Sequence, residues 1–169
     1  RLTFLPLLNG CTLVYLDSFS PQKWISAVKQ FNVTFTIPVV SHLQTLRQAL
    51  LDNIEDLTSL RCIVSSSSTI GYELKSALLN KLRCDFHEMY GATEIAIATN
   101  LSPNDPVSKS KSVGKPCEGV DILIFDDEGN VSPVGEIGEI ACKTPLKFSY
   151  YYDKPEVTKS SMHGDHFLT

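Results

Sequence analysis

Between residues 12 and 90 the sequence switches back and forth between two periodicities, and this alternation restricts the fold more than any other feature. Thr12–Leu16 is rich in β-branched and aromatic residues and follows the turn pair Asn9-Gly10, which predicts a strand. Ser20-Pro21 supplies an N-cap and a proline at the first helical position. Trp24, Ile25, Val28 and Phe31 then share one helical face, and Trp24 and Phe31 are expected in the core. Val33–Ile37 alternates as a strand and stops at Pro38. Ser41 is placed to cap a helix with Leu43, Leu46 and Leu50 on one stripe. Leu60–Val64 reads as a third strand, followed by the polar run Ser65–Thr69 and a helix facing inward with Leu74, Ala77, Leu78 and Leu82. Cys84–Tyr90 reads as a fourth strand. Strands and helices alternating over short connections predict an α/β fold, a parallel β-sheet with flanking helices. Ligands of such open sheets bind beyond the carboxyl ends of the strands. Two of those ends are polar here, Ser65–Thr69 and Tyr90–Glu94.

The second end is the richer one. Glu88-Met89-Tyr90-Gly91-Ala92-Thr93-Glu94 places an aromatic face, a bendable backbone, a hydroxyl and a carboxylate within a few residues. A ring can stack on a base, a hydroxyl can meet a phosphate, and a carboxylate is a hard ligand for magnesium. The spacing is not that of the phosphate-loop motif, and the same residues also make an ordinary strand-to-turn junction.

The texture changes after residue 100. Ser102–Pro106 is loop, and Ser108–Ser112 is a polar connector. Val120–Phe125 and Ile137–Cys142 read as antiparallel strands, with Asp126–Asn130 as a turn of the Asp/Gly/Asn kind. Residues 1–112 are thus expected to form an α/β subdomain, and residues 113–169 a β-rich segment of the same domain. The chain opens on Arg1 and stops on the apolar, strand-like His166–Thr169, so both ends read as cut from a longer protein.

Composition removes several functional classes. At 43% hydrophobic and 20% charged, the chain can build a core. The net charge of -4 carries no basic surface for nucleic acid. No apolar run approaches the ~18 residues that cross a bilayer. Five cysteines, Cys11, Cys62, Cys84, Cys117 and Cys142, show no metal-knuckle spacing, and Cys62 and Cys84 lie in strand-like runs as buried hydrophobes. That pattern fits a reducing cytoplasm better than a secreted domain.

Five segments, in order, carry a resemblance. Tyr90-Gly91-Ala92-Thr93-Glu94 resembles the Tyr-Gly-x-Thr-Glu motif of the adenylate-forming (AMP-binding) enzymes, which include acyl-CoA synthetases, luciferases and peptide-synthetase adenylation domains. Ser112–Pro116 resembles that family's Ser-Val-Gly-Lys-Pro segment, and Gly135–Ile140 its Gly-Glu-x-Gly-Glu segment. Tyr151–Thr158 resembles its Gly-Tyr-x-x-x-Pro-Glu-x-Thr run, and Gly164–Thr169 the start of its Gly-Trp-x-x-Thr-Gly-Asp run.

The resemblance implies roles for particular residues. Tyr90 would stack near adenine, with Gly91 giving the tight turn beside it. Thr93 would approach the α-phosphate, and Glu94 would serve magnesium, which makes Thr93 and Glu94 the expected catalytic pair. Glu88 and Met89 would contact the nucleotide and line the acyl tunnel, Met89 narrowing the base or the acyl pocket where many relatives carry a small residue. The family's Gly-Gly-Ala-Pro adenine loop falls on Ser66, Ser67, Ser68 and Thr69, a departure toward bulkier residues. ATP or AMP, magnesium and coenzyme A are the implied cofactors, a small carboxylic acid the substrate, and cytoplasmic fatty acid metabolism the setting. The upstream phosphate loop, the ribose-binding Asp and a C-terminal lid domain with its lysine are expected in the remainder of the parent chain.

Acyl-CoA synthetase is favoured within the family. Ala92 replaces the usual proline of peptide synthetases, Glu88 replaces their Asn, and Lys143–Lys147 stands where they are glycine-rich. A peptide-synthetase-type adenylation domain is one alternative, and a non-catalytic nucleotide-binding or scaffold domain, suggested by the serine loop, is another. Other candidates read as structural. His42 and His87 are lone histidines, and His163 and His166 lack metal spacing. Ser65–Ser68 has no nucleophile elbow, and Asp126-Asp127-Glu128 lacks the roughly twelve-residue calcium loop.

Overall fold

The computed structural model describes residues 4–52 and 57–169, which divide into two compact units. Residues 1–65 and 69–86 belong to the first, and residues 66–68 and 87–169 to the second.

The first unit is helical with a small parallel ladder. It opens on α1 (Phe4–Leu8) and continues through α2 (Pro21–Phe31), β1 (Phe35–Thr36), α3 (Val40–Asp52), β2 (Cys62–Ser65) and α4 (Tyr72–Lys81), to the start of β3 (Asp85–Ala92). The Ser20 cap forms as the sequence predicts: its Oγ accepts the Lys23 N–H at 3.2 Å. Trp24 and Val28 of α2, Leu43, Leu46 and Leu50 of α3, and Leu74 and Leu78 of α4 close on Ile63 and Phe86. β1 and β2 pair in parallel, Phe35 opposite Cys62, and the Asp85 N–H donates to the Arg61 carbonyl at 2.9 Å, bringing β3 in beside them.

Several expectations for this unit are corrected. Thr12–Leu16 forms no strand. Its composition suits one, but no neighbour among the described residues gives it a ladder, and Leu16 packs directly on the core. Ser41 does not cap α3. The Leu43 N–H bonds to the Val39 carbonyl, so the helix already runs from Val40 and Ser41 lies in its first turn. Phe31 is 56% exposed rather than core. Asn32 turns left-handed (φ 50°), and the Val33 N–H returns to the Val28 carbonyl at 3.1 Å, so Val33 continues the packing in place of Phe31. Cys62 and Cys84 are half-buried free thiols, and desolvation pushes Cys84 up to about 11, so it stays protonated at neutral pH.

The second unit is antiparallel. β3 turns at residues 93–95 into β4 (Ala96–Leu101), which pairs with β5 (Lys115–Pro116). The parallel pattern of β1 and β2 is therefore not continued, and the whole is a mixed α/β fold. A second sheet has the order β6 (Asp121–Phe125), β7 (Glu139–Lys143), β9 (His166–Leu168), β8 (Met162–His163), with α5 (Pro155–Ser160) before the last hairpin. The antiparallel pairing of β6 and β7 follows the sequence reading. The turn after β6 is also as read: Asp126 Oδ1 accepts the N–H groups of Glu128 (3.1 Å) and Asn130 (2.7 Å). Ile95, Ala98, Cys142 and Phe167 form this unit's core, with Tyr90, Ala92, Ile140, Phe148 and Tyr151 packed against them.

The loop Ser102–Pro106 after β4 is a hydrogen-bonded turn. Asp105 accepts the backbone N–H and hydroxyl of Ser102, both at 2.9 Å, and pairs with Lys115 at 2.7 Å. Those contacts, Lys115 foremost, hold its carboxyl down at about 2. Because the folded value is depressed, the contribution is full above the unfolded carboxylate value of ~3.9 and is lost as pH falls through about 2. Gly114, between this turn and β5, has φ +90°, and a Cβ there would lie 2.1 Å from the carbonyl carbon and oxygen of Asn100.

Candidate functional site

Tyr90-Gly91-Ala92-Thr93-Glu94 is the tip of the β3–β4 hairpin. The register slips between Tyr90 and Gly91, so Tyr90 opposes Thr99 while Gly91 opposes Ile97. Gly91 permits this slip. A Cβ at Gly91 would sit 2.0 Å from the Ala96 carbonyl oxygen, and no side chain can be placed there without moving backbone. The turn that follows leaves Thr93 exposed and Glu94 half-buried.

Glu94 is held at two points by one downstream segment. Its carbonyl accepts the Phe148 N–H at 2.7 Å, and its Oε1 accepts the Tyr151 hydroxyl at 2.7 Å. That hydrogen bond, followed by desolvation and the carboxylate's charge, raises the Tyr151 pKa and keeps the phenol protonated. Tyr151 is itself fixed: its N–H donates to Thr158 Oγ1 at 2.9 Å, and its ring meets Phe148 edge-on at 4.7 Å. Tyr90 is anchored elsewhere. Thr169 Oγ1 donates to the Ile140 carbonyl at 3.0 Å, which leaves the Tyr90 hydroxyl as the donor to Thr169. Four of the five sequence segments thus converge through Tyr90, Glu94, Ile140, Tyr151 and Thr169.

The other singled-out residues are placed as follows. Glu88 is 2% exposed and Met89 half-buried, on opposite faces of β3. Ser66, Ser67 and Ser68 pack with the same unit as Tyr90–Glu94, and Thr69 with the first unit. Ser67 and Ser68 are exposed, and Ser67 is left-handed at φ 81°. This is the backbone a glycine adopts freely and serine adopts at a cost. Ser67→Gly is therefore expected to stabilise the fold by about 0.5–1 kcal/mol, the relieved strain less the added unfolded-chain entropy. Equilibrium urea denaturation reads it, and a loss of stability would refute the strain.

The histidines have structural partners. His42 stacks on Phe19 at 3.8 Å, His87 Nδ1 lies 3.1 Å from Asn100 Oδ1, His163 packs on Phe125 and His166 pairs with Asp121. No cluster of three metal-ligating side chains occurs among the described residues. A single carboxylate nonetheless fits magnesium, which binds through one or two carboxylates and completes its shell with substrate phosphates and water. Glu94, half-buried with one oxygen already engaged, is a carboxylate of that sort. Tyr151, Phe148 and Thr158 had no role in the sequence reading. The Tyr-to-Thr spacing of residues 151–158 marked the segment, but nothing local says that its hydroxyl reaches a residue 57 positions away. No helix among the described residues is long and apolar enough to cross a membrane.

The family profile described as AMP-binding enzyme matches residues 1–152. An uncharacterized acyl–CoA ligase of Bacillus subtilis, YtcI, is 29% identical over 95% of this chain and 31% of its own length. The amide bond synthetase McbA from Marinactinospora thermotolerans superposes with a TM-score of 0.87 at 27% identity, over 96% of this chain and 33% of its own. O-succinylbenzoate coenzyme A synthetase from Bacillus subtilis, solved with ATP and magnesium, superposes with a TM-score of 0.83 at 26% identity, over 98% of this chain and 34% of its own. The chain thus spans about a third of the length of the proteins it matches.

Proposed function

We propose, from the premise that this chain belongs to the AMP-binding enzyme family, that the protein carrying it joins a carboxylic acid to AMP at the expense of ATP and then passes the acyl group to the thiol of coenzyme A. The observation that supports this most is the hairpin-tip pair: an exposed Thr93 hydroxyl beside a Glu94 carboxylate whose direction is fixed. Magnesium, when bound, neutralises phosphate charge. Glu94 is the residue that would hold it. Thr93, exposed at the hairpin tip, would donate a hydrogen bond to an α-phosphate oxygen as negative charge builds there, the kind of contact that lowers such barriers. The Tyr90 ring offers a face for the base, and its tethered hydroxyl keeps that face from rotating. The backbone of Ser66–Ser68, in the same unit, would supply a further edge for the nucleotide, and Glu88 and Met89, on the two faces of β3, would supply the adjoining lining. No covalent intermediate on the protein is needed, because positioning accounts for most of the rate. We place the reaction in the cytoplasm, in fatty acid metabolism.

The choice of an acyl-CoA synthetase over a peptide-synthetase-type adenylation domain rests on Ala92, Glu88 and Lys143–Lys147. A scaffold role is disfavoured by Ser67, which keeps a glycine-like backbone at an energetic cost. ATP–pyrophosphate exchange by the full-length protein, screened over acids of graded length with hydroxylamine, coenzyme A and simple amines as acceptors, tests the reading. Exchange with no acid would defeat it. The 169-residue chain alone is expected to show no exchange, since it spans about a third of the length of the proteins it matches. Acid-dependent exchange above background by this chain would contradict that.

A further inference from the structure

We propose that Tyr151 is a positioning residue for Glu94: its hydroxyl donates to Oε1 and fixes which oxygen of the carboxylate is left to meet a hard cation. The inference rests on the reading of Glu94 given above and goes a step further. Glu94 sits on a hairpin turn, where a glutamate side chain keeps three freely rotating bonds unless something stops them. One contact stops them here, the Tyr151 hydroxyl on the carboxylate at 2.7 Å, while the Phe148 N–H on the backbone carbonyl, also at 2.7 Å, holds the turn itself. Tyr151 is in turn locked by Thr158, whose Oγ1 accepts the Tyr151 N–H at 2.9 Å and donates to the Lys154 carbonyl at 3.0 Å. Its flanking residues behave differently: Tyr150 is 66% and Tyr152 90% exposed. Of three consecutive tyrosines, the one whose hydroxyl points at Glu94 is the one turned inward.

Packing alone does not require that hydroxyl. A phenylalanine would keep the contacts with Phe148 and with the Ile95–Phe167 core. The plain alternative is that Glu94 merely helps, beside Ser161, to satisfy a half-buried phenol. The two accounts separate in Tyr151→Phe. If Tyr151 only packs, the variant loses nothing at the site. If it positions Glu94, the metal site loosens, since partners that orient a ligating carboxylate are commonly worth 10- to 100-fold in metal affinity.

The experiment uses the full-length protein and reads Mn²⁺ binding in the presence of ATP by electron paramagnetic resonance, beside thermal unfolding. The proteins compared are the parent, Tyr151→Phe, Glu94→Gln and the double variant. Expected are roughly tenfold weaker Mn²⁺ binding by Tyr151→Phe with an unchanged unfolding midpoint, and a double variant no weaker than Glu94→Gln alone. Parent-like Mn²⁺ binding by Tyr151→Phe while Glu94→Gln loses it overturns the positioning role and leaves the metal role of Glu94 standing. Parent-like binding by Glu94→Gln overturns that metal role, and the inference with it. A loss in Tyr151→Phe that adds in full to that of Glu94→Gln, with a lowered midpoint, marks a general loosening of the fold and also overturns the proposal.

Discussion

Glu94→Gln in the full-length protein is expected to lower magnesium-dependent adenylate formation by roughly 10²-fold or more, the scale of losing one pre-aimed electrostatic contact in a water-poor site. The substitution isolates charge. Glutamine has the same length, and its amide oxygen can still accept the Tyr151 hydroxyl that now meets Oε1. The Phe148 N–H bond to the backbone carbonyl is untouched. Circular dichroism and the unfolding midpoint should therefore match the parent while ATP–pyrophosphate exchange collapses. Exchange within about twofold of the parent at limiting magnesium would remove Glu94 from the metal site.

Gly114→Ala should produce the largest loss of stability of any single methyl added to the chain. Two costs add. The left-handed φ of +90° penalises an L-residue by about 1–2 kcal/mol. The new Cβ would also lie 2.1 Å from the carbonyl carbon and oxygen of Asn100 and from the Leu101 nitrogen, all backbone, so no rotamer change relieves it. The surroundings cannot give way cheaply. β4 and β5 pair through Thr99–Pro116 and Asn100–Lys115, and Thr99 Oγ1 donates to the Val113 carbonyl at 2.7 Å. Overpacking adds about 1–3 kcal/mol, giving an expected total of about 2–5 kcal/mol in urea denaturation. Gly135→Ala is the control: φ is +101°, but nothing lies within 4 Å of the added carbon, so only the strain is expected. Equal losses at the two positions would show that the close approach to Asn100 is not what requires glycine.

The sequence exposed those parts of the fold whose cause is local. Ser20-Pro21 announced α2, and the stripes Leu43–Leu46–Leu50 and Leu74–Leu78 announced two helices, because cap and stripe lie within a few turns of what they specify. Partners in a sheet are not local. Thr12–Leu16 had strand composition and no partner, whereas Ala96–Leu101 had weak strand composition and became the centre of β3–β4–β5. The turn at residues 93–95, just after the bulge at Tyr90/Gly91, makes a hairpin tip of what the sequence predicts as a parallel strand end. The site divided in the same way. Tyr90, Thr93 and Glu94 were legible as a chemical set, but Tyr151 and Thr169 enter through hydrogen bonds spanning 57 and 79 residues, which no spacing rule anticipates.

Those spans also set an order of assembly. The β3–β4 hairpin closes over a few residues and can form early, but Glu94 acquires its direction only when residues 148–151 dock, and Tyr90 only when Thr169 arrives. The site is thus expected to be a late product of folding. Mild destabilisation will undo it in the reverse sense, with the carboxylate losing its bearing while the hairpin beneath it is still intact.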